Sequence, residues 1–377
     1  MGYRTRGLNQ ANLSMAQNRL TIYIDGRCLL RPRDGVGTYT MSLLEAVLNA
    51  DKKNNYIALG FSDQKHNERL VAERDNFHYH FLPIPRRLYM GLFRIWQSPI
   101  DRFLPHKPDA VWYPDFVAAP LIRTGKKILT IHDLTFIHDS EVVESKNLRY
   151  LRRFVPWSIN RSDELVTVSE TVKHDIIHNL APTKQITVVY PIAPPEKPGI
   201  PNVNSPYILF VGTLEPRKNV ETILKAYEAL PTPLQKKYKL VLAGRRGWNS
   251  DEIFKQMKRV PHTWVDGPTT PELNKLYDGA SLFVFPSLRE GFGISPIEEL
   301  ARHVPVVTST DSALIEATGK AALHIAAADH QKLSEAMRDL LTSNQLRDSL
   351  GKYRTAQLKK FDGTNAAQRF IELIRAH

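Results

Sequence analysis

The most informative segment of the sequence is residues 286–298, PSLREGFGISPIE, which follows a very apolar run. Glu290 and Glu298 are carboxylates, and a carboxylate accepts hydrogen bonds from two neighbouring hydroxyls of a polyhydroxylated ligand. Gly291 and Gly293 let the backbone approach a ligand closely, and the helix predicted after them offers unpaired N–H groups to an anion. The segment therefore indicates a site for a ligand with hydroxyls and negative charge. Taken singly, each glutamate is better explained as a capping acid or a solvated helical side chain.

A second segment with cationic side chains occurs about seventy residues earlier. Residues 211–219, VGTLEPRKN, also follow an apolar run and precede a predicted helix that begins near Asn219. Arg217 and Lys218 would place two fixed cations beside the start of that helix, an arrangement suited to a diphosphate. A solvated Arg-Lys turn is the alternative.

Signatures of other nucleotide and metal sites are missing from the sequence. His174 and His178 have the i, i+4 spacing of a zinc-protease helix, but the glutamate base and a third ligand are lacking, so no metal site is predicted there. Gly35 and Gly37 lie in DGVGTYT, which lacks the third glycine of a dinucleotide fingerprint, and no Walker A sequence occurs. The sequence has no Asp-x-Asp, so a catalytic metal is not expected.

Two series of short apolar strands alternate with helical segments. The first series is 21–27, 56–61, 110–115, 127–133, 164–170 and 186–191; the second is 207–212, 239–244, 262–267, 281–287 and 304–309, with 321–325 as a further candidate. Alternation of this kind predicts parallel sheets covered by helices, in an α/β fold of two doubly wound domains. In such sheets ligands bind at the carboxyl ends of the strands, where both informative segments lie.

The domain boundaries follow from one proline-rich stretch. Residues 191–206 contain six prolines, which deny the backbone both helix and sheet hydrogen bonds, so we predict a linker there. The predicted organisation is a flexible leader at 1–19, a Rossmann-like domain at 20–190, the linker at 191–206, a second Rossmann-like domain at 207–360, and a final helix at 361–377 that can pack back on the amino-terminal domain.

Composition narrows the class of protein. The 377 residues are 42% hydrophobic and 24% charged, which is typical of a globular chain and argues against global disorder. No run of the sequence approaches the ~18 apolar residues of a membrane-spanning helix, and the first twenty residues do not resemble a signal peptide. With one cysteine, Cys28, an internal disulfide is impossible. We therefore expect a cytoplasmic protein.

The chain is strongly basic. Its 51 Lys and Arg against 39 Asp and Glu give a formal net charge of +12, and the excess is spread over both halves of the sequence. Such a charge favours an anionic partner, which can be nucleic acid, an acidic membrane surface or a phosphorylated substrate. No nucleic-acid-binding motif stands out, so we expect no nucleic-acid partner.

Five segments in order give the sequence a specific resemblance. They are DGVGTYT, IHDLTF, VTVSE, GTLEPRKN and EGFGISPIEEL, and together they span most of residues 20–360. The chain resembles the family 4 (group 1) retaining glycosyltransferases of GT-B fold, in particular a mannosyltransferase-like subgroup of surface-polysaccharide assembly. In many members an arginine stands where this chain has Thr213, and we expect Arg217 to supply that charge.

The resemblance implies that the domain at 20–190 binds the acceptor and that the domain at 207–360 binds the nucleotide sugar. It also implies a role for each matching residue. Glu290 binds hydroxyls of the donor sugar, and Glu298 holds the nucleotide ribose. Lys218 and Arg217 neutralise the leaving diphosphate, and His132 reaches the donor sugar from the opposite domain. With these, the implied donor site comprises Gly212, Thr213, Arg217, Lys218, Glu290, Phe292, Gly293, Ile294 and Glu298, and the implied cleft loop for the acceptor comprises Gly35, Val36 and Gly37.

The function implied is retaining transfer of a hexose, with mannose from GDP-mannose as the favoured donor, to a glycan or lipid-linked saccharide in surface-polysaccharide biosynthesis. No cofactor and no metal are expected beyond the nucleotide-sugar substrate. The alternatives are the same class with a UDP-sugar donor, a GT-B-fold sugar-nucleotide epimerase, and a basic nucleic-acid-binding protein. The sequence does not indicate the oligomeric state.

Two stretches combine basic and bulky apolar residues, namely 85–96 (PRRLYMGLFRIW) and 148–157 (LRYLRRFVPW). A basic amphipathic helix of this kind fits peripheral docking to an acidic bilayer, which would place the protein at the inner face of the plasma membrane. The alternative is an ordinary helix that packs its aromatic side chains into the core.

Overall fold

The computed structural model describes residues 19–32, 34–138, 145–200, 202 and 204–376. Apart from Arg19, the predicted leader lies outside the described residues. Two sheets organise this part of the chain. The strands are β1 (Thr21–Asp25), β2 (Asn55–Phe61), β3 (Phe77–Leu82), β4 (Ala110–Tyr113), β5 (Lys126–Ile131), β6 (Glu164–Thr167), β7 (Ile186–Val188), β8 (Tyr207–Val211), β9 (Lys239–Ala243), β10 (Thr263–Val265), β11 (Leu282–Phe285), β12 (Val306–Ser309) and β13 (Leu323–Ile325).

Helices separate most of these strands. Those before the proline-rich stretch are α1 (Gly35–Ala50), α2 (Arg86–Trp96), α3 (Thr135–His138), α4 (Ser145–Arg161) and α5 (Glu170–Leu180). Those after it are α6 (Val220–Glu228), α7 (Thr232–Lys237), α8 (Asp251–Met257), α9 (Thr270–Asp278), α10 (Ile294–Ala301), α11 (Ser312–Thr318), α12 (His330–Thr342), α13 (Asn344–Gly351), α14 (Arg354–Leu358) and α15 (Gly363–Arg375).

Both sheets have the strand order of a doubly wound fold. The first runs β3-β2-β1-β4-β5-β6-β7 and the second β10-β9-β8-β11-β12-β13. All five pairings of the second sheet are parallel, as are those joining β3, β2, β1, β4 and β5. The order reverses between β1 and β4 and again between β8 and β11, which are the two switch points where such folds bind ligands. The predicted fold class is confirmed.

The strands form because their side chains are apolar on both faces, as a covered parallel sheet requires. In β8 and β11 every residue is buried, and burial of each large aliphatic or aromatic side chain contributes about 1.5–3 kcal/mol. The prediction missed β3, whose sequence FHYHFL exposes His78 and pairs only with β2 at the sheet edge. The predicted strand 164–170 was too long, because Ser169 caps α5 through the N–H of Val172 at 3.0 Å.

By packing, the described chain divides into two compact units. The first extends to Thr130 and adds Trp157–Val166 and Ala367–His377, and the second contains Ile131–Pro156 and Thr167–Ala366. The predicted domain boundaries (20–190, 191–206, 207–360 and 361–377) differ from these units and stay predictions. Every strand of the first sheet lies within 21–188, and every strand of the second lies within 207–325.

The end of the chain packs on the first unit. The Phe370 ring lies 4.6 Å from the ring of Trp112, centroid to centroid. The Lys126 ammonium donates to the carbonyl of Ala376 at 2.7 Å, and the Arg375 guanidinium lies 3.8 Å from a carboxylate oxygen of the buried Asp51. The tilted aromatic contact and the two polar contacts hold α15 against the first unit.

Candidate functional site

The two informative segments meet at the switch point of the second sheet. Strands β8 and β11 are neighbours, so the loops that follow Val211 and Phe285 leave the same edge side by side. The N–H of Leu288 donates to the carbonyl of Arg217 at 2.9 Å, and the Asn219 amide donates to the carbonyl of Pro286 at 2.9 Å. These contacts join the loop after β8, which carries Arg217 and Lys218, to the loop after β11, which carries Glu290 and is called the glutamate loop below.

Four charged side chains converge between the loops. One oxygen of the Glu290 carboxylate pairs with the Lys218 ammonium at 2.6 Å, and the other oxygen pairs with the Arg217 guanidinium at 2.8 Å. Arg217 also pairs with Glu215 at 3.0 Å. The Glu290 side chain is 9% exposed and that of Lys218 13%, so these pairs are only weakly screened by solvent. The sequence analysis assigned Arg217, Lys218 and Glu290 to one donor site without pairing them, and it gave no part to Glu215.

The four charges control one another's ionisation. Burial opposes ionisation of Glu290, but the charges of Arg217 and Lys218 outweigh it and lower the pKa of the carboxyl to about 2. Burial and then the Arg217 charge lower the pKa of Lys218, with Glu290 acting against them. Burial also raises the pKa of Glu215. Glu290 is therefore a permanent anion near neutral pH, and it occupies the two cations that a diphosphate would need.

The Lys218 side chain lies along the start of the loop that follows β8. Its ammonium sits 4.9 Å from the centre of the Phe285 ring, in cation–π range. A side chain at Gly212 would approach the Lys218 aliphatic stem and the Phe210 ring, the latter at 3.1 Å. Thr213, the position where an arginine was expected from the family pattern, follows directly and packs against Gly247. Arg217 supplies a guanidinium in this loop, beside Lys218.

The glutamate loop needs two glycines for different reasons. A Cβ on Gly291 would lie 1.9 Å from the carbonyl oxygen of His132, a distance that no side chain tolerates. Gly293 adopts φ +113°, in the left-handed region, and begins α10 without a side-chain cap. The first N–H groups of α10, beginning at Ile294, therefore point out of the helix without a capping side chain and suit an anion. Phe292 is buried, 4.9 Å from the ring of Phe361.

His132 follows β5 and is buried. The structure brings its backbone against Gly291, one residue from Glu290, and the adjoining Asp133 accepts a hydrogen bond from the N–H of Thr135 at 2.9 Å. The strand end predicted to carry a catalytic histidine therefore lies beside the glutamate loop within the second unit.

The predicted acceptor loop belongs to the first unit. Asp34 accepts the N–H of Gly37 at 2.7 Å and caps α1. A Cβ on Gly37 would lie 3.1 Å from the carbonyl of Cys28, whereas Gly35 has open space around it and Val36 is half-buried beside it. Gly37 is thus required by packing, and Gly35 leaves the surface free for close approach of a ligand.

Glu298 and Glu299 differ sharply although they are adjacent on α10. Glu298 is half-buried, and after burial its charge is the next cause that raises the pKa of Tyr277. Glu299 is fully buried and neither carboxylate oxygen has a hydrogen-bond partner. Burial raises the pKa of Glu299 well above its ordinary value, although the charge of Arg302 opposes the shift.

We expect Glu299→Met to stabilise the protein by about 1–3 kcal/mol at pH 8, because it removes a buried carboxyl without partners. A raised folded-state pKa means that the wild-type carboxyl favours folding below its unfolded pKa of about 4.3 and loses that contribution as pH rises. The gain should therefore be larger at pH 8 than at pH 5, as measured by chemical unfolding. A larger gain at pH 5 would contradict this.

No group of three or more His, Cys, Asp or Glu side chains that could hold a metal ion occurs among the described residues. His174 and His178 lie exposed on α5. Within the same part of the chain, no helix is both long and apolar enough to cross a bilayer.

Residues missed by the sequence prediction also line this region. Glu215 joins the ion pairs, and Asp311 caps α11 by accepting the N–H of Ala313 at 3.1 Å. Burial, followed by repulsion from Glu290, raises the pKa of Asp311 to about 6. Of these two residues, only Glu215 could have been predicted from the sequence, because it is an acid two residues before Arg217.

Sequence comparisons link the chain to one enzyme class. The family model "Glycosyl transferases group 1" matches residues 195–357 and the model "Glycosyltransferase Family 4" matches residues 33–197. O-antigen chain mannosyltransferase B of Escherichia coli is 29% identical over 270 residues, which are 67% of this chain and 71% of that protein. O-antigen chain mannosyltransferase RfbU of Salmonella typhimurium is 26% identical over 258 residues, which are 66% and 69% of the two chains.

Solved structures agree in fold. WaaG, a glycosyltransferase involved in lipopolysaccharide biosynthesis, matches with a TM-score of 0.71 at 15% identity, over 95% of this chain and 100% of its own. Sucrose-phosphate synthase from Thermosynechococcus elongatus matches with a TM-score of 0.71 at 16% identity, over 95% and 98% of the chains. At these identities the likeness concerns the fold alone.

Proposed function

Because the chain belongs to the family 4 (group 1) glycosyltransferases of GT-B fold, we propose that it transfers mannose from GDP-mannose, with retention of configuration, to a glycan or lipid-linked saccharide in surface-polysaccharide biosynthesis. The observation that carries the proposal is the cluster of Glu290, Lys218 and Arg217 at the switch point of the second sheet. It combines an acceptor for sugar hydroxyls with cations for a diphosphate in one place.

The proposed mechanism assigns each side chain a task. When the donor binds, its diphosphate replaces Glu290 as the partner of Lys218 and Arg217, and the released carboxylate accepts hydroxyls of the mannose. The bond from the anomeric carbon to the diphosphate oxygen breaks, and the acceptor hydroxyl attacks the same face and passes its proton to the departing diphosphate. The cations stabilise the negative charge that develops on the leaving group, a contribution of several kcal/mol.

No protein carboxylate acts as nucleophile in this scheme. His132 contributes by position at the donor sugar, and the N–H groups at the start of α10 contact the phosphates. Glu298, half-buried on the same helix, holds the ribose hydroxyls. The two loop cations supply the charge neutralisation, so we propose a reaction without a metal or other cofactor.

The donor assignment rests on the relatives. Two of them are O-antigen chain mannosyltransferases by name, and their matches cover about two thirds of this chain. A UDP-sugar donor is the alternative within the class, because the cation cluster recognises the diphosphate and not the base. A sugar-nucleotide epimerase would use the same cluster but would transform the donor without an acceptor.

Thermal unfolding with a panel of nucleotide sugars tests the donor. A ligand at about 100 times its Kd adds roughly 2.7 kcal/mol of stability, and GDP-mannose should give this shift without added metal. Glu298→Ala should weaken nucleotide binding about 10-fold, as loss of a charge-assisted hydrogen bond does, while the surface variant Glu335→Ala should not. A shift of the unfolding temperature with UDP-sugars only would show that the donor is a UDP-sugar and not GDP-mannose. A shift only with polynucleotide would favour the nucleic-acid alternative.

Product analysis tests the reaction. Incubation of the enzyme with the selected donor and mannose-containing acceptors should give a product with the donor's anomeric configuration, as read by NMR. An inverted product would overturn the retaining mechanism. Conversion of the donor to another sugar nucleotide without acceptor would identify the epimerase.

We also propose that the protein acts at the cytoplasmic face of the plasma membrane. Helix α2 exposes Leu88 (56%), Ile95 (67%) and Trp96 (70%), and Arg86 and Arg87 are exposed at its start. This combination of apolar and cationic side chains suits the interface of an anionic bilayer. The stretch 148–157 differs, because it buries Phe154 and Val155 and exposes mainly arginines. We propose that it contributes charge without inserting.

Ile95→Ser together with Trp96→Ser should lower the fraction of protein that sediments with anionic phosphatidylglycerol vesicles about 10-fold or more, because about 2–4 kcal/mol of apolar burial is lost. The matched control is Ile200→Ser, which removes an 84% exposed isoleucine from the proline-rich stretch. Equal sedimentation of the double variant and the control would contradict membrane contact through α2.

A further inference from the structure

Glu316 on α11 accepts more hydrogen bonds than any role in donor binding explains. Its carboxylate receives the N–H of Glu170 at 2.7 Å, the N–H of Thr171 at 2.9 Å and the hydroxyl of Thr171 at 2.7 Å. It also receives the Tyr190 phenol at 2.9 Å. All four donors lie more than a hundred residues from Glu316 in sequence but within the same compact unit.

These bonds complete the start of α5. The first N–H groups of a helix have no partner within the helix, and a negative charge there is stabilised by the helix dipole. Glu316 accepts the N–H groups of Glu170 and Thr171, and the Ser169 hydroxyl accepts that of Val172. The carboxylate that caps α5 is thus supplied by a distant helix, so the two helices are fixed to each other at this point.

Helix α5 in turn holds the glutamate loop on both sides of Glu290. The Ser169 hydroxyl donates to the carbonyl of Gly291 at 2.7 Å. One turn further along, the Asp175 carboxylate lies 4.0 Å from the guanidinium of Arg289. The residues immediately before and after Glu290 are therefore both in contact with α5.

A second route runs through aromatic side chains. The Tyr190 ring lies 5.9 Å from the ring of Phe292, and the same Tyr190 donates its phenol proton to Glu316. Phe292 is buried, and it is the second residue after Glu290. Glu316 thus reaches the glutamate loop through Ser169 and again through Tyr190, and it has no contact with the loop cations themselves among the described hydrogen bonds and ion pairs.

We propose that Glu316 is a positioning residue for transfer: by fixing the start of α5 and the Tyr190 phenol, it holds the backbone of residues 289–292 and so keeps Glu290 within reach of the donor sugar. The proposal deepens the proposed function, since it assumes that Glu290 acts on the donor. Glu316 touches neither donor nor acceptor in this scheme. Its effect should therefore fall on turnover and on the mobility of the loop, with little effect on the affinity for nucleotide.

The first test is kinetic. Glu316→Gln keeps the side-chain shape but removes the charge and turns an amide group toward the hydrogen-bond donors. We therefore expect kcat to fall about 10- to 50-fold, while the Kd for the nucleoside diphosphate changes less than about 3-fold. Ser169→Ala should also lower kcat, and the double variant should be no slower than the slower single variant, because both act through one connection. The matched control Glu335→Gln, on the exposed face of α12, should behave as wild type.

The second test does not depend on activity. Amide hydrogen exchange of the folded protein should speed up about 10-fold in residues 289–293 and 170–172 in Glu316→Gln, and in 289–293 in Ser169→Ala, with no change in the core strand β8. Unchanged exchange in these segments would overturn the proposal, as would strictly additive kinetic effects of the two substitutions. Faster exchange in a protein that transfers no sugar would retain the positioning role of Glu316 and reject the proposed function instead.

Discussion

Glu290→Gln should lower turnover at least ~100-fold, the range for loss of a pre-organised electrostatic contact, while affinity for the free nucleoside diphosphate stays the same or rises. In the structure the Glu290 carboxylate pairs with Lys218 at 2.6 Å and with Arg217 at 2.8 Å, so it competes with a diphosphate for the same cations. The neutral glutamine removes this competitor and also removes the anion that accepts the sugar hydroxyls. Steady-state kinetics and isothermal titration with the diphosphate separate the two effects.

Lys218→Ala should have the opposite effect on the affinity for the diphosphate. It should lower turnover to a similar extent and weaken diphosphate binding about 10- to 100-fold, because a charge-assisted contact to the phosphate is lost. The matched control is Lys332→Ala, whose lysine pairs with Glu335 at the surface. Parallel changes in diphosphate affinity in Glu290→Gln and Lys218→Ala would show that the two residues do not have the opposed roles proposed here.

The same cluster predicts a signature in acid. The folded-state pKa of Glu290, about 2, lies below its ordinary value of 4.5, so the carboxylate stabilises the fold above the unfolded pKa and loses that contribution as pH falls toward 2. This contribution is on the order of 3 kcal/mol. Wild-type stability should thus decline more steeply than that of Glu290→Gln between about pH 4.5 and 2 in chemical unfolding. If the free energy of unfolding falls equally with pH in the two proteins, the Glu290 ion pairs do not stabilise the fold.

Gly291→Ala should be strongly damaging although it adds only one methyl group. Its Cβ would lie 1.9 Å from the carbonyl oxygen of His132, and both atoms belong to backbone that cannot rotate away. The loop must shift, so we expect a loss of about 2–4 kcal/mol of stability and at least ~100-fold in turnover through displacement of Glu290.

Gly91→Ala is the control for the stability measurement. The added Cβ meets nothing within 4 Å and lies inside α2, where alanine is the better helix former by up to about 1 kcal/mol. If Gly291→Ala unfolds at the same denaturant concentration as wild type and retains turnover, the contact with His132 does not position the loop.

The sequence predicted those parts of the site that depend on adjacent strands. The apolar runs that became β8 and β11 predicted two strand ends at one sheet edge, which brings Lys218, Arg217 and Glu290 together. Edge strand β3 was missed because its alternation of histidine with aromatic residues is a weak signal. In the second sheet each strand was predicted within a few residues, because most of its strands are continuous apolar runs.

Contacts across long separations could not be predicted from one sequence. Glu316 and Thr171 are 145 residues apart, and neither has a local pattern that distinguishes it from a solvated side chain. The approach of His132 to Gly291 depends likewise on how two loops pack. The segments VTVSE and IHDLTF stood out through the family resemblance, but the residues that they contact became evident only from the structure.

The ion-pair cluster also bears on which anions can occupy the site. Glu215 and Glu290 balance Arg217 and Lys218, so the formal charge of the cluster is zero although the chain as a whole carries +12. Free phosphate and chloride, abundant in a cell, gain little by entering, because they must break existing pairs and offer Glu290 no hydroxyl in return. In the proposed mechanism the diphosphate of a sugar nucleotide takes over Arg217 and Lys218, and its sugar hydroxyls take over Glu290. Once the sugar has left, the carboxylate can reclaim the cations, which favours dissociation of the spent diphosphate and the next turnover.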